Sequence, residues 1–221
     1  MAPFGTIYSY PGNFRVDRAQ VVAALNGLEV PLAENFKMNE TNKTPEFLAK
    51  FPMGKVPALE CADGFCISEG AAIASYLASA GPKAAQLLGS DPKTQARITE
   101  WSYFAENELV SNLLPPVIMA VMKLAPFDEQ AYGKHIASLE RALKRIELAL
   151  QGGKKYLVGE QLTLADVMVT GVLFPAAKFF IDAEMRKDTP NVVAYVQGIA
   201  GIPEFKKFFG DLVLCETRAK A

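Results

Sequence analysis

The spacing of apolar positions changes along the chain, from the short period of strands to the longer period of helices. Gly5 to Tyr10 carries β-branched and aromatic residues suited to a first strand, and Val16 to Asn26 reads as a helix stopped by Gly27. Val30 to Ala33 is short and apolar, a second strand. Asn35 to Lys43 is polar and contains Asn39, Thr41 and Asn42, which predicts a loop before a short helix from Pro45, capped by Thr44. Val56 to Glu60, an Asp63-Gly64 turn and Phe65 to Ile67 predict a hairpin, after which Glu69 opens an apolar helix that ends at Gly81-Pro82. The polar segment through Ser90-Asp91-Pro92 predicts a linker, and everything beyond it reads helical. The expected architecture is an α/β domain of order βαβαββα at residues 1–81, a linker at 82–90 and an all-α domain at 91–221.

In the helical part, Tyr132, Ile136, Leu139, Leu143, Ile146 and Leu150 are spaced alternately by four and three, a stripe that packs one helix against its neighbours. The run stops at Gly152-Gly153. Thr163 and Asp166 have the spacing at which a cap and a third-position carboxylate satisfy each other's N–H groups, so both are assigned to folding. Pro115-Pro116 and Pro175 interrupt apolar helical segments and are expected to kink or break them.

Half of the 221 residues are hydrophobic, enough for a large core in one domain or two. Lys and Arg number 23 against 24 Asp and Glu, a formal charge of −1, so no basic footprint exists for direct nucleic-acid binding. Lys154-Lys155 and Lys206-Lys207 read as solvated surface. No signal peptide follows Met1-Ala2-Pro3 and no uninterrupted apolar span of membrane length occurs, so a soluble cytoplasmic protein is expected. Three cysteines suit a reducing compartment. A two-residue turn at Asp63-Gly64 would set Cys61 opposite Cys66, a spacing that permits a cross-strand disulfide, although reduced thiols are the expectation. Cys215, in a C-terminal apolar run, is expected to be buried. One histidine, His135, among charged neighbours gives no basis for a metal site.

Local chemistry gathers around Gly54-Lys55-Val56-Pro57-Ala58 and Ser68-Glu69-Gly70. A proline beginning a short strand donates nothing to the ladder, which leaves neighbouring backbone free for a ligand. The N–H groups opening the next helix suit a carboxylate. The pair describes a site for a small extended peptide bearing an amine and an acid. The element order, the Val-Pro strand, the Glu-opened helix and Leu162-Thr163-Leu164-Ala165-Asp166 resemble a cytosolic glutathione transferase. More narrowly, Tyr8-Ser9-Tyr10-Pro11, Thr44-Pro45-Glu46-Phe47-Leu48, Lys50-Phe51-Pro52, Gly54-Lys55-Val56-Pro57-Ala58, Asp63-Gly64-Phe65-Cys66, Tyr156-Leu157-Val158-Gly159-Glu160 and Leu214-Cys215-Glu216 resemble the transferase-like N-terminal domain of the translation elongation factor one gamma subunit.

The resemblance implies a thioredoxin-like first domain, an all-helical second one, and glutathione as co-substrate without a metal. It implies that the Val56 backbone pairs with the cysteinyl unit, that Pro57 is cis, that Glu69 takes the γ-glutamyl ammonium and that Lys55 reaches the glycyl carboxylate. Lys55 as plain surface and Glu69 as a favourable charge at a helix start remain the alternatives. Where the family pattern has Ser or Thr after the glutamate, this chain has Gly70, which keeps the backbone N–H but lacks the hydroxyl, so weak glutathione binding is expected. Thiolate stabilisation falls to Tyr8, Ser9, Asn13 or Arg15, with Tyr8 equally suited to packing inside its strand. Two functions follow. One is a transferase adding the thiolate to an apolar electrophile, held by Trp101, Phe104 and the Leu113 to Met122 segment. The other is a non-catalytic interaction module of the elongation factor one complex. The end at Ala221 leaves both a shortened gamma subunit and a stand-alone enzyme open, and a twofold homodimer is expected in either case.

Overall fold

The computed structural model describes residues 2–220, which form two compact units that divide between Ser90 and Asp91. The first unit is built on a three-stranded sheet, β1 (Gly5–Tyr8), β2 (Ala58–Cys61) and β3 (Cys66–Ser68), in that order and antiparallel throughout. The expected second strand is reduced to a single parallel bridge between Leu32 and Ile7. Phe4 N–H donates to Glu29 O (2.8 Å), Ile7 N–H to Pro31 O (2.9 Å) and Ala33 N–H to Ile7 O (2.9 Å). Pro31 has no N–H to extend that ladder.

Side-chain alternation divides the sheet into two faces. Ile7 and Leu59 are fully buried on the face covered by α1 (Phe14–Leu25) and α3 (Gly70–Ser79), where Val22, Ile73 and Leu77 complete a dry core. Each such side chain contributes about 1.5–3 kcal/mol on burial. Tyr8, Ala58 and Cys66 lie on the other face, against Phe47 and Phe51 at α2 (Pro45–Lys50). Asn26 ends α1 and ties it to α3 by donating from Nδ2 to Leu77 O (2.8 Å) and Ala78 O (2.9 Å) while accepting from Lys83 N–H (2.8 Å). Segment 82–90 is not an open linker. It carries α4 (Ala84–Leu88), which packs on α3 and buries Leu87 completely.

The hairpin corrects a second expectation. Glu60 pairs with Cys66, and Cys61 N–H donates to Phe65 O (2.8 Å), so the turn holds three residues, with Gly64 at φ 86°. The extra residue shifts the register by one, and a shift of one moves a side chain to the opposite face. Cys61 therefore faces Tyr76 Oη (3.9 Å) while Cys66 joins the Phe47 cluster, and both thiols are free. Burial pushes both thiols above the ordinary cysteine value.

The second unit opens with α5 (Pro92–Phe104), capped by Asp91, and α6 (Ser111–Pro116). Wider helical turns at Ala105–Val110 and Val117–Val121 flank α6. Pro115 and Pro116 thus leave the helix running, because the turn widens around their missing N–H groups, and Pro175 sits inside an unbroken α8 (Leu164–Phe179). The α8 helix is apolar almost all round and is packed by α5 and α10 (Pro190–Ala200), as a central helix must be. Along α7 (Glu129–Ala149), every member of the predicted stripe up to Ile146 is buried, as is Leu150 just beyond it. Asp166, with no exposed surface, accepts from Leu157 N–H (2.8 Å), Thr163 N–H (2.8 Å), Thr163 Oγ1 (3.0 Å) and Tyr195 Oη (3.0 Å). Burial pushes its carboxyl up, against four donors that favour the ionised form. The α9 helix (Ala183–Lys187) and α11 (Pro203–Phe209) complete the unit. Cys215 is only half-buried, because the tail carrying it crosses the surface, held by Arg218 to Asp182 (2.6 Å) and Tyr132 Oη to Ala219 O (2.6 Å).

Candidate functional site

Strand pairing brings three chain segments to one end of the first sheet. Tyr8 pairs with Ala58 and Ala58 with Ser68, so Ser9, Pro57 and Glu69, the next residue of each segment, emerge side by side. The Val56–Pro57 peptide is cis, as the resemblance implies. Among the described residues no group pairs with the Val56 N–H or C=O.

Glu69 precedes α3 with φ 70° and ψ 114°, a left-handed backbone that side-chain-bearing residues rarely adopt. It is exposed, caps nothing, and among the described residues its carboxylate takes no hydrogen bond or ion pair. Such a conformation costs about 1–3 kcal/mol and recurs at ligand clamps. Next to it, Gly70 lies against Arg15. A Cβ on Gly70 would stand 3.2 Å from Arg15 Cβ, 3.2 Å from Cδ and 3.4 Å from Cγ. The start of α1 and the start of α3 are therefore in contact through that stem. The Arg15 guanidinium carbon stands 4.9 Å from the centre of the Phe14 ring.

Of the four residues predicted to act on a thiolate, Ser9 and Asn13 form a buried pair. Asn13 Nδ2 donates to Ser9 Oγ (3.1 Å), and Asn13 Oδ1 accepts from Arg15 N–H (3.2 Å), capping α1. The cap fixes which way the amide points. Ser9 accepts that bond, so its own proton is free to be donated, and Asn13 retains a second N–H. Tyr8 is placed differently. Its Oη donates to Glu60 Oε2 (2.8 Å), Glu60 Oε1 accepts from Lys50 Nζ (2.6 Å), and the ring packs edge-on against Phe47 at 5.6 Å. Burial, reinforced by the Glu60 carboxylate, pushes the phenol up, while the Lys50 ammonium holds the Glu60 carboxyl low.

The segment before Val56 is pinned by Asn42, from the polar stretch that the sequence places in a loop. Asn42 is buried, donates from Nδ2 to Gly54 O (2.7 Å) and accepts from Asn39 N–H (2.6 Å). Gly54 has φ 58°, and Lys43 Nζ lies 3.7 Å from where a Cβ on Gly54 would stand. Lys43 thus stands close to the segment that leads into Val56, and Lys55, the residue before Val56, is exposed. An Asn-Lys pair just ahead of a capped proline helix was the available signal, but nothing in it showed that the polar loop folds back on Gly54.

In the second unit, Trp101 and Phe104 are buried edge-to-face at 5.1 Å, and the Arg145 guanidinium lies 4.9 Å from each ring centre. Leu113 and Met119 are also buried, whereas Ile118 and Met122 are exposed. His135 Nδ1 contacts Asn112 Oδ1 (3.1 Å), and among the described residues no group of three or more acidic, cysteine or histidine residues is arranged to hold a metal. No helix among them is long and apolar enough to cross a membrane.

The fold defines a class, and comparison with known proteins agrees with it. The glutathione S-transferase N-terminal domain model matches residues 3–79 and the C-terminal domain model residues 109–203, so the chain belongs to the glutathione S-transferase family. A glutathione S-transferase-like protein of a Fusarium species is 46% identical over 218 residues, 99% of this chain and 98% of the relative. Elongation factor 1-gamma of Artemia salina is 36% identical over 212 residues, but the chain, covered to 96%, spans only 48% of that protein's length. The fold matches the GST-like domain of elongation factor 1-gamma from Saccharomyces cerevisiae with a TM-score of 0.82 at 21% identity, covering 99% of each chain. It also matches a glutathione S-transferase-I bound with lactoylglutathione, with a TM-score of 0.83 at 23% identity over 96% of this chain and 100% of that one.

Proposed function

We propose that the first unit binds glutathione at the end of its sheet and that the protein is a transferase conjugating the tripeptide's thiolate to an apolar electrophile in the cytoplasm, as a twofold homodimer. The observation that carries the reading is Glu69: a carboxylate without a partner among the described residues, on a left-handed backbone, beside the unpaired Val56 peptide groups. An added strand on Val56 supplies the backbone pairing of an extended peptide, with Pro57 ending the strand on that side. Glu69 takes the γ-glutamyl ammonium, Gly70 offers its N–H to the neighbouring carboxylate, and Lys43 and Lys55 meet the glycyl carboxylate.

Activation falls to Ser9 and Asn13. A thiol of ordinary pKa about 8.5 has to be lowered by about two pH units, at about 1.4 kcal/mol for each, which one or two charge-assisted hydrogen bonds supply. Ser9 Oγ donates to the sulfur while Asn13 Nδ2 polarises it, and Arg15 adds positive potential. Tyr8, committed to Glu60, holds α2 to the sheet.

A second reading is favoured by the 36% identity to elongation factor 1-gamma: a docking module for other subunits of the elongation factor one complex, with the glutathione site left idle. Titration calorimetry with glutathione, together with conjugation of a generic aryl halide, separates the two. Saturable binding with turnover, both lost in Glu69→Ala, supports the transferase. No binding and no turnover refutes it and leaves the docking module.

A further inference from the structure

The absent hydroxyl at position 70 suggests a weakened site, but the structure gives its space to another group. Gly70 is the first residue of α3 and its backbone is not left-handed, so its conformation does not call for glycine. What favours glycine is the Arg15 stem, whose Cβ and Cδ would each stand 3.2 Å from a Cβ at position 70. At contacts of that length a side chain at position 70 makes the arginine stem give by a few tenths of an ångström, so the two crowd each other.

The charges match this exchange. Arg15 is half-buried, and its one recorded side-chain interaction is the stack over Phe14; among the described residues its guanidinium has no carboxylate partner. Glu69, the residue next to the contact, also has none. A cation and an anion, brought together at the starts of α1 and α3, leave each other unpaired. That is the complement of an α-amino acid zwitterion, whose ammonium meets Glu69 and whose carboxylate meets Arg15. A guanidinium is also a stronger partner than a hydroxyl, because its planar fork binds a carboxylate through two parallel bonds.

We infer that Arg15 binds the α-carboxylate of the γ-glutamyl unit and that Gly70 is the residue that admits it, so that the two residues together set specificity for a free α-amino acid end. This deepens the glutathione reading and rests on it. It also reverses an expectation: restoring a side chain at position 70 weakens binding instead of mending it.

Calorimetric affinities for glutathione and for its analogue lacking only the γ-glutamyl α-carboxyl (γ-aminobutyryl-cysteinylglycine) test it in the wild type, Arg15→Ala, Gly70→Ala and Glu69→Ala. The wild type should prefer glutathione by about tenfold or more, the factor expected for one hydrogen-bonded charge contact. Arg15→Ala should lose most of that preference, keeping only the part that the Gly70 N–H supplies. Gly70→Ala, by crowding the stem, should reduce it too. Glu69→Ala should weaken both peptides and keep the preference. The inference is overturned if Arg15→Ala discriminates as well as the wild type, or if the wild type does not discriminate. If the wild type binds neither peptide, the glutathione reading falls with it. Saturable, Glu69-dependent binding that ignores Arg15 removes the arginine alone. The analogue probes the unmutated protein, so misfolding of a variant cannot mask the outcome.

Discussion

Asn13 does two jobs, and two substitutions separate them. Its Oδ1 caps α1 at Arg15 N–H (3.2 Å) and its Nδ2 supplies Ser9 Oγ (3.1 Å), with both residues buried. Asn13→Ala removes the cap, worth about 1 kcal/mol, and leaves Ser9 without its donor, worth about 1 kcal/mol more. A loss of about 2 kcal/mol lowers the melting temperature of a chain this size by roughly 4–8 °C. Asn13→Asp keeps an excellent cap, so stability should stay within about 1 kcal/mol of wild type. The introduced carboxylate, however, accepts only. Ser9 must then donate to it, which turns the hydroxyl proton away from the sulfur and puts a negative charge beside the thiolate. Bound glutathione should therefore titrate near its free value of about 8.5 instead of about 6.5, cutting the thiolate fraction at pH 7 by about 25-fold. Ultraviolet thiolate absorbance of the complex against pH, and kcat/KM for an aryl halide over the same range, read this directly. A normal melting curve with a wild-type thiolate titration in Asn13→Asp would refute the assignment of activation to the Ser9–Asn13 pair.

Three other outcomes follow from the same geometry. Asp166→Ala strands four donors in a fully buried site and should cost at least about 4 kcal/mol in denaturant unfolding, far more than losing an ordinary cap; a cost below about 1 kcal/mol would mean the network is dispensable. Burial pushes the Asp17 carboxyl up to about 7, from a usual 3.8. Because its folded value exceeds its unfolded one, the unfolded chain ionises first, so stability should be fully present below about pH 4 and should decline as pH rises to about 7. Solvent on the half-exposed side chain and the favourable start of α1 reduce the size of this effect to about 1–2 kcal/mol. Asp17→Asn should flatten that slope in pH-dependent unfolding, and an unchanged slope would assign it elsewhere. Oxidation with diamide should give no Cys61–Cys66 bond, since the two thiols face opposite sides of the sheet; peptide mass mapping that finds the linked pair would contradict the three-residue turn.

The sequence made visible what depends on neighbouring residues. The α7 stripe, the Thr163–Asp166 box, the Thr44 cap and the Val-Pro and Glu69 segments are local patterns, and each is found where the period or the motif places it. What it hid depends on residues far apart. Tyr8 sits in a strand whether its hydroxyl meets a substrate or a carboxylate, and only the β1–β2 register brings Glu60, fifty-two positions on, to its Oη. One extra turn residue at Gly64 was enough to put the two cysteines on opposite faces, because a dipeptide turn signal does not give loop length. Pro115 and Pro116 look like breakers until the backbone widens around them. Gly70 looks like a deletion until Arg15 is seen against it.

That last contact also bears on how a transferase is told from a retired one. Most polar groups near the candidate site have folding to keep them. Asn13 caps a helix, Asn42 pins a loop, and Tyr8 with Glu60 and Lys50 braces α2, so each would persist in a module that had ceased to bind anything. Glu69 and Arg15 have no such reason. The first holds a left-handed backbone at a cost of about 1–3 kcal/mol, with its carbonyl bonded to Ile73 N–H (2.9 Å) but its carboxylate without a partner among the described residues, and the second presents a half-buried cation with no anion among them. A side chain whose charged end meets no partner in the fold is accounted for by what it binds. These two residues, rather than the better-connected ones, therefore carry the weight of the glutathione reading, and substitution of Glu69 should stabilise the unliganded protein slightly while removing the ligand: Glu69→Gly relieves the backbone outright, so a melting temperature raised in the absence of glutathione and no longer raised by adding it is the signature of a site kept for its ligand.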